Sequence, residues 1–103
     1  MHKYGYQGKI QATPGNGDRL AEILLQAAQV VETCKGCHLY IVSKDPDQAD
    51  TIMITEVWDS KEDHDNSLQL AEVRALIGQA MPILNGPPQK GKEFEVLGGA
   101  GIA

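Results

Sequence analysis

An element order of β-α-β-β-α-β predicts an α+β sandwich, with helices on one face of a four-stranded antiparallel sheet. Three observations carry that prediction. The segment Tyr4–Ala12 alternates with a period of two, as a half-buried strand does. Two stretches, Asp18–Glu32 and the run ending at Leu84, repeat apolar residues at spacings of three and four. Three further short runs, 38–43, 51–58 and 93–97, are rich in β-branched and aromatic residues and are bounded by turn residues. This is the split order of a ferredoxin-like fold, and 103 residues supply one such domain, residues 1–103.

In the first strand Tyr4, Tyr6, Gly8 and Ile10 share one face, and Gly5, Gln7, Lys9 and Gln11 the other. Thr13-Pro-Gly-Asn-Gly17 is a dense turn signal. In the first helix Leu20, Ile23, Leu24, Ala27, Ala28 and Val31 form the apolar stripe, with Asn16 or Asp18 placed to cap its free amides. Gly36 is the expected left-handed terminator. His38–Ser43 makes the second strand, and Lys44–Asp50 is a polar turn holding Pro46. Thr51–Trp58 makes the third strand and runs into a helix at Ser60, where Ser60 and Asp63 resemble a capping box. Leu70, Val73, Leu76, Ile77, Ala80 and Leu84 continue the helical pattern, which Pro82 weakens. Asn85-Gly-Pro-Pro is a break, Glu93–Leu97 the fourth strand, and Gly98–Ala103 a small-residue tail.

The third strand is apolar on both faces. Ile52, Ile54, Glu56 and Trp58 share one, and Met53, Thr55 and Val57 the other. In the second strand Leu39 and Ile41 alternate with Tyr40 and Val42. A central strand apolar on both sides expects cover on both, and one chain has helices for one side only. A homodimer formed sheet to sheet through Met53, Thr55 and Val57 is the expected solution.

A net charge of −5, from 9 Lys+Arg against 14 Asp+Glu, argues against nucleic acid or an anionic membrane as the main partner. No run of 18 apolar residues exists, and the N-terminal stretch MHKYGYQGKI lacks the apolar core of a signal peptide, so a cytoplasmic protein is expected. Cys34 and Cys37 form a C-x-x-C, but the pair follows a helix, where the dipole disfavours a thiolate. No second pair stands at zinc-ligand spacing, so neither a metal nor a thiol-redox role is expected.

Candidate site residues cluster where the third strand meets its helix. Glu56 shares a face with Ile52, Ile54 and Trp58, and a carboxyl enclosed there must be paired, hydrogen-bonded or protonated. Two readings stand open: a structural bond to a backbone amide, Arg74 or a lysine, or a proton acceptor with a raised pKa. His64, between Asp63 and Asp65, is read either as a solvated histidine or as a base facing a pocket. Trp58 is read as a core anchor or a stacking wall for a ligand, with Ile54 beside it. Tyr40 has a hydroxyl to donate, and Arg74 can anchor an anionic oxygen or pair on the surface.

Gly36-Cys-His-Leu-Tyr40, the Asp45-Pro46 turn and Glu56-Val-Trp-Asp-Ser60, followed by an acidic helix, resemble the antibiotic-biosynthesis-monooxygenase-like family. That resemblance implies a dimeric α/β barrel. It also implies a monooxygenase that uses no metal or organic cofactor and oxidises a hydroquinone or polyketide phenol with O2. On it His64 and Glu56 are the catalytic candidates, and Trp58, Tyr40, Ile54 and Arg74 the substrate-binding ones. A non-catalytic module binding a small molecule is the alternative. Family members often carry a histidine nine positions beyond the tryptophan, where this chain has Ser67; His64 lies about one helical turn earlier. Haem-degrading relatives ligate iron through that histidine, so its absence at Ser67 argues against haem.

Overall fold

The computed structural model describes residues 2–87 and 89–102; Pro88 of the Asn85–Pro88 break and Ala103 of the tail lie outside the described residues. The strands are β1 (Lys3–Gln11), β2 (Cys37–Asp45), β3 (Gln48–Trp58) and β4 (Lys92–Val96). The helices are α1 (Gly17–Val31), α2 (Lys61–Ser67) and α3 (Ala71–Ala80), the last continued by a 3₁₀ turn over Met81–Ile83. The strands form one antiparallel sheet in the order β2-β3-β1-β4, the ferredoxin-like arrangement. No helix among the described residues is long and apolar enough to cross a membrane.

The helical region after β3 divides in two. Ser60 caps α2 by accepting the Asp63 amide at 3.1 Å, and the chain turns through Leu68–Leu70 before α3 begins. Leu70 enters α3 in an extended conformation with no side-chain cap. The break separates a short, charged helix carrying His64 from the apolar helix that covers the sheet.

The N-terminus of α1 is satisfied from outside the helix. Neither Asn16 nor Asp18 caps it: Asn16 donates to Thr13, and Asp18 pairs with Lys44 of β2. Asp50 takes the amides of Gly17 at 2.9 Å and Gly15 at 3.2 Å instead. Gly17 is required there, because a Cβ would stand 2.3 Å from the Ala49 carbonyl oxygen. Gly36 does adopt a positive φ, +84°, but it lies in the turn after Glu32, the C-cap of α1. Its carbonyl accepts the Asp59 amide, tying the start of β2 to the end of β3.

The register decides which residues meet. Tyr4, Tyr6, Gly8 and Ile10 of β1 pair with Trp58, Glu56, Ile54 and Ile52 of β3, all on the helix side. The main core joins Leu20, Ile23 and Ala27 of α1 to Ile52 of β3 and to Leu76 and Ala80 of α3. A second cluster gathers Val31, Val73 and Trp58, with Tyr4, Cys34, Cys37 and Tyr40 around it. Trp58 is fully buried and locks the sheet to α1 and α3. Burying such a ring contributes on the order of 3–5 kcal/mol relative to alanine.

Among the described residues, the opposite face of the sheet carries no helix. Leu39, Met53, Thr55 and Phe94 are half-buried there, and Ile41 is 45% exposed. Val57 is already covered within its own chain. The register puts Gly5 between it and Phe94, and the Phe94 ring lies where a Gly5 Cβ would be.

Candidate active site

A cavity of about 340 Å³ lies between the helices and the sheet, at the small end of the range for ligand sites. Leu20, Leu24 and Ala27 of α1, Ile54 of β3, and Val73, Leu76 and Ile77 of α3 give it a mostly apolar wall. The space exists because β1 offers Gly8, which has no side chain, opposite Ile54 on the helix-facing side. Besides the exposed Lys9 and Gln89, four enclosed polar side chains converge on the wall: Tyr6, Tyr40, Glu56 and His64.

Each is positioned by a different part of the fold. Glu56, only 6% exposed, is held by the alternation of β3. Its Oε1 accepts the indole N–H of Trp58 at 3.0 Å, a bond that two residues on one strand face can make directly. Its Oε2 has no hydrogen-bond donor among the described residues; His64 Nε2 lies nearest in charge, at 3.8 Å. Burial drives the Glu56 carboxyl above its ordinary 4.5, against the opposing pull of the Trp58 bond and the His64 charge. Neither Arg74 nor a lysine pairs with it, so the structural ion pair offered by the sequence does not form.

His64 is buried at 8% exposure, which excludes the solvated reading. The Ser60 cap starts α2 so that this residue turns inward, where the Tyr4, Tyr6 and Trp58 rings stand 5.3, 5.5 and 6.0 Å from its own. Its Nδ1 is 2.9 Å from Asp65 Oδ1. That contact is the largest cause holding the Asp65 carboxyl below its ordinary value. A carboxylate beside Nδ1 favours the tautomer protonated there, which leaves Nε2 free to accept a proton on the Glu56 side. Ser67 is buried too, and its hydroxyl donates to the His64 carbonyl at 2.6 Å.

Tyr40 faces Glu56 across the β2–β3 pair. Burial first, then the Glu56 charge, pushes its phenol upward, so it stays protonated as a donor at physiological pH. Tyr6 also reaches away from the cavity, where its hydroxyl accepts the Gly91 amide at 2.9 Å. Tyr4 donates to Glu93 at 2.8 Å.

Glu56, His64, Tyr40 and Ile54 are thus brought to one cavity. Trp58 is not: it stands behind Glu56 as anchor and hydrogen-bond donor, with no surface left for a ligand. Arg74 projects into solvent from α3 and is absent from the lining. Reading the sequence missed Tyr6 and Gly8. The strand period had put both on the Ile10 face, but only the pairing of β1 with β3 sets them opposite Glu56 and Ile54. Among the described residues no three His, Cys, Asp or Glu side chains group as a metal site. Cys34 and Cys37 are free and half-buried, and burial pushes the Cys37 thiol up, away from the reactive range.

A solved structure from Chloroflexus aurantiacus J-10-fl, named for antibiotic biosynthesis monooxygenase, is 40% identical. The match covers 98% of this chain and 99% of that one, at a TM-score of 0.87. Proteins of like name from Nitrosomonas europaea (12% identity, 93% and 91% covered, TM-score 0.87) and Caulobacter crescentus CB15 (14%, 94% and 92%, 0.84) share the fold. No curated protein matches the chain. The model of one family, antibiotic biosynthesis monooxygenase, matches residues 4–79 and so spans β1 through nearly all of α3, including every wall-lining residue of β1, β2 and β3. With that match and the 40% identity over almost the full length of both chains, the protein belongs to the antibiotic biosynthesis monooxygenase family.

Proposed function

We propose that this protein is a cofactor-independent monooxygenase that oxidises a small electron-rich aromatic, a hydroquinone or polyketide phenol, with O2. One observation carries the reading: an ionisable pair, Glu56 and His64, faces a mostly apolar cavity of ring-sized volume. Glu56, held high by burial, takes the phenolic proton, and His64 on its other side relays it toward the exposed Asp65. Tyr40 donates to the substrate oxygen and orients the ring.

Deprotonation leaves an electron-rich anion that passes one electron to O2. The resulting radical and superoxide combine at a ring carbon still bearing hydrogen. Protonation gives a hydroperoxide, and loss of water leaves a new carbonyl there. A hydroquinone and one O2 thus become a hydroxyquinone and one water. One oxygen atom stays on the ring, the other leaves with two hydrogens taken from the substrate, and no external electron donor enters. The apolar wall keeps water from the anion.

The test is oxygen uptake by purified protein with a panel of hydroquinones and phenols. The wild type is expected to consume O2 above the buffer rate, and Glu56→Gln and His64→Ala each to lower kcat by about 10²-fold or more, the usual weight of a proton-transfer group. Binding of the same compounds without oxygen uptake would replace this reading with that of a non-catalytic binding module.

The sheet's open face supports a homodimer in which two such faces pack together about 10 Å apart. Leu39, Ile41, Met53, Thr55 and Phe94 are the residues it would bury, over the already covered Val57. Sedimentation is expected to give a dimer for the wild type and a shift toward monomer for Ile41→Lys. A wild-type mass of 11.1 kDa at micromolar concentration would overturn the dimer.

A further inference from the structure

We infer that the substrate carries an apolar chain on its aromatic ring, and that this chain leaves the cavity across a rim made by Leu68, Ile77 and Met81. The inference rests on the oxygenase reading of the cavity and adds the class of substituent to it.

The cavity is elongated and has two unlike ends. At one end Glu56 pairs with Tyr6, beside His64; at the other Ile52 pairs with Ile10, beside Leu84 and Met81. From Tyr6 to Ile10 is four residues of strand, about 13 Å. The enclosed polar side chains sit at the Tyr6 end, and the other two polar residues of the lining, Lys9 and Gln89, are exposed, so a ring presenting its oxygen to Glu56 and Tyr40 fills that end only. The remainder is bounded mainly by Ile10, Leu76, Ala80 and Leu84, beside the exposed Lys9 and Gln89, and offers mostly hydrocarbon to a ligand.

The rim continues this surface outward. Leu68, Ile77 and Met81 all line the cavity, yet they are 42%, 44% and 50% exposed. Ile77 and Met81 are one turn apart along α3 and its 3₁₀ continuation, next to the core-facing Val73, Leu76 and Ala80. Leu68 comes from the turn between α2 and α3. Three large apolar side chains that line the cavity while staying about half exposed give its mouth an apolar margin. A bare ring with several hydroxyls would gain nothing from it. A ring bearing an alkyl or branched hydrocarbon chain covers it while its polar head reaches Glu56.

The test is anaerobic calorimetric binding of 1,4-hydroquinone and its methyl, butyl, hexyl and octyl derivatives to wild type, Ile77→Lys and Met81→Lys. The wild-type Kd is expected to fall about two- to fourfold per methylene through butyl, the upper figure corresponding to full burial at roughly 0.8 kcal/mol per CH2. That slope is expected to flatten in both variants, whose folds circular dichroism can check. A Kd independent of chain length, or a slope unchanged in both variants, would overturn the inference. So would a change of sedimenting mass in the variants, which would make the rim a subunit contact. Oxygen uptake with the unsubstituted compound separates the two failures: uptake without a chain-length slope removes this inference and leaves the oxygenase reading standing. Binding of no member of the series removes both.

Discussion

Replacing Glu56 by glutamine is expected to stabilise the protein at pH 8 and to leave it nearly unchanged at pH 4. The carboxyl is buried, receives one hydrogen bond from Trp58, and has a second oxygen without a donor among the described residues. Its folded-state pKa is raised by burial above the ordinary 4.5, so the folded protein holds its proton more tightly than the unfolded chain. Stability attributable to this group is therefore fully present below about 4.5 and is lost as pH rises through the folded value. Glutamine keeps an oxygen for the Trp58 N–H and never ionises. Burial penalises the charged carboxylate, a cost that a neutral amide does not carry, so a gain on the order of 1–3 kcal/mol is expected at pH 8. For a domain of this size that is a rise in Tm of about 4–8 °C per kcal/mol. Calorimetric melts of both proteins at pH 8 and pH 4 measure it. A variant less stable than wild type at pH 8, or stabilised equally at both pH values, would refute the assignment of Glu56 as a strained buried acid. A gain in stability beside a loss of oxygen uptake would mark a residue retained for chemistry rather than for the fold.

Ser60→Ala removes the oxygen that accepts the Asp63 amide and should cost about 1 kcal/mol, read by chemical denaturation. Because α2 carries His64, oxygen uptake should fall further than that stability loss explains. Gly36→Ala forces a Cβ onto a residue at φ +84° and to 2.3 Å from the Asp63 carboxylate, so a loss of at least about 1 kcal/mol is expected in the same assay. A neutral result would mean that the turn between α1 and β2 is free to relax.

Strand and helix periods reach the eye directly from the sequence, because side chains alternate at two residues or recur at 3.6 whatever surrounds them. The six-element order, the split of β3 into two faces and the Ser60 cap were all legible in this way. So was the neighbourhood of Glu56, since an acid among Ile52, Ile54 and Trp58 has nowhere polar to go. The capping of α1 was not, because Asp50 reaches it from 33 residues away along the chain. The inward turn of His64 was equally hidden. Its charged neighbours in sequence suggested solvent, whereas Tyr4 and Tyr6 of β1 and Trp58 of β3 enclose it.

By itself, the sequence determined the fold, the family resemblance and the pair of titratable residues, all of which depend on local pattern. Only the tertiary structure decided that Glu56 and His64 meet at one cavity, that Trp58 supports Glu56 from behind rather than facing a ligand, and that Arg74 stands outside. Those outcomes depend on the register of β1 against β3 and on the break between α2 and α3. The pairing of distant segments is set by which apolar faces bury each other, and no local period records it.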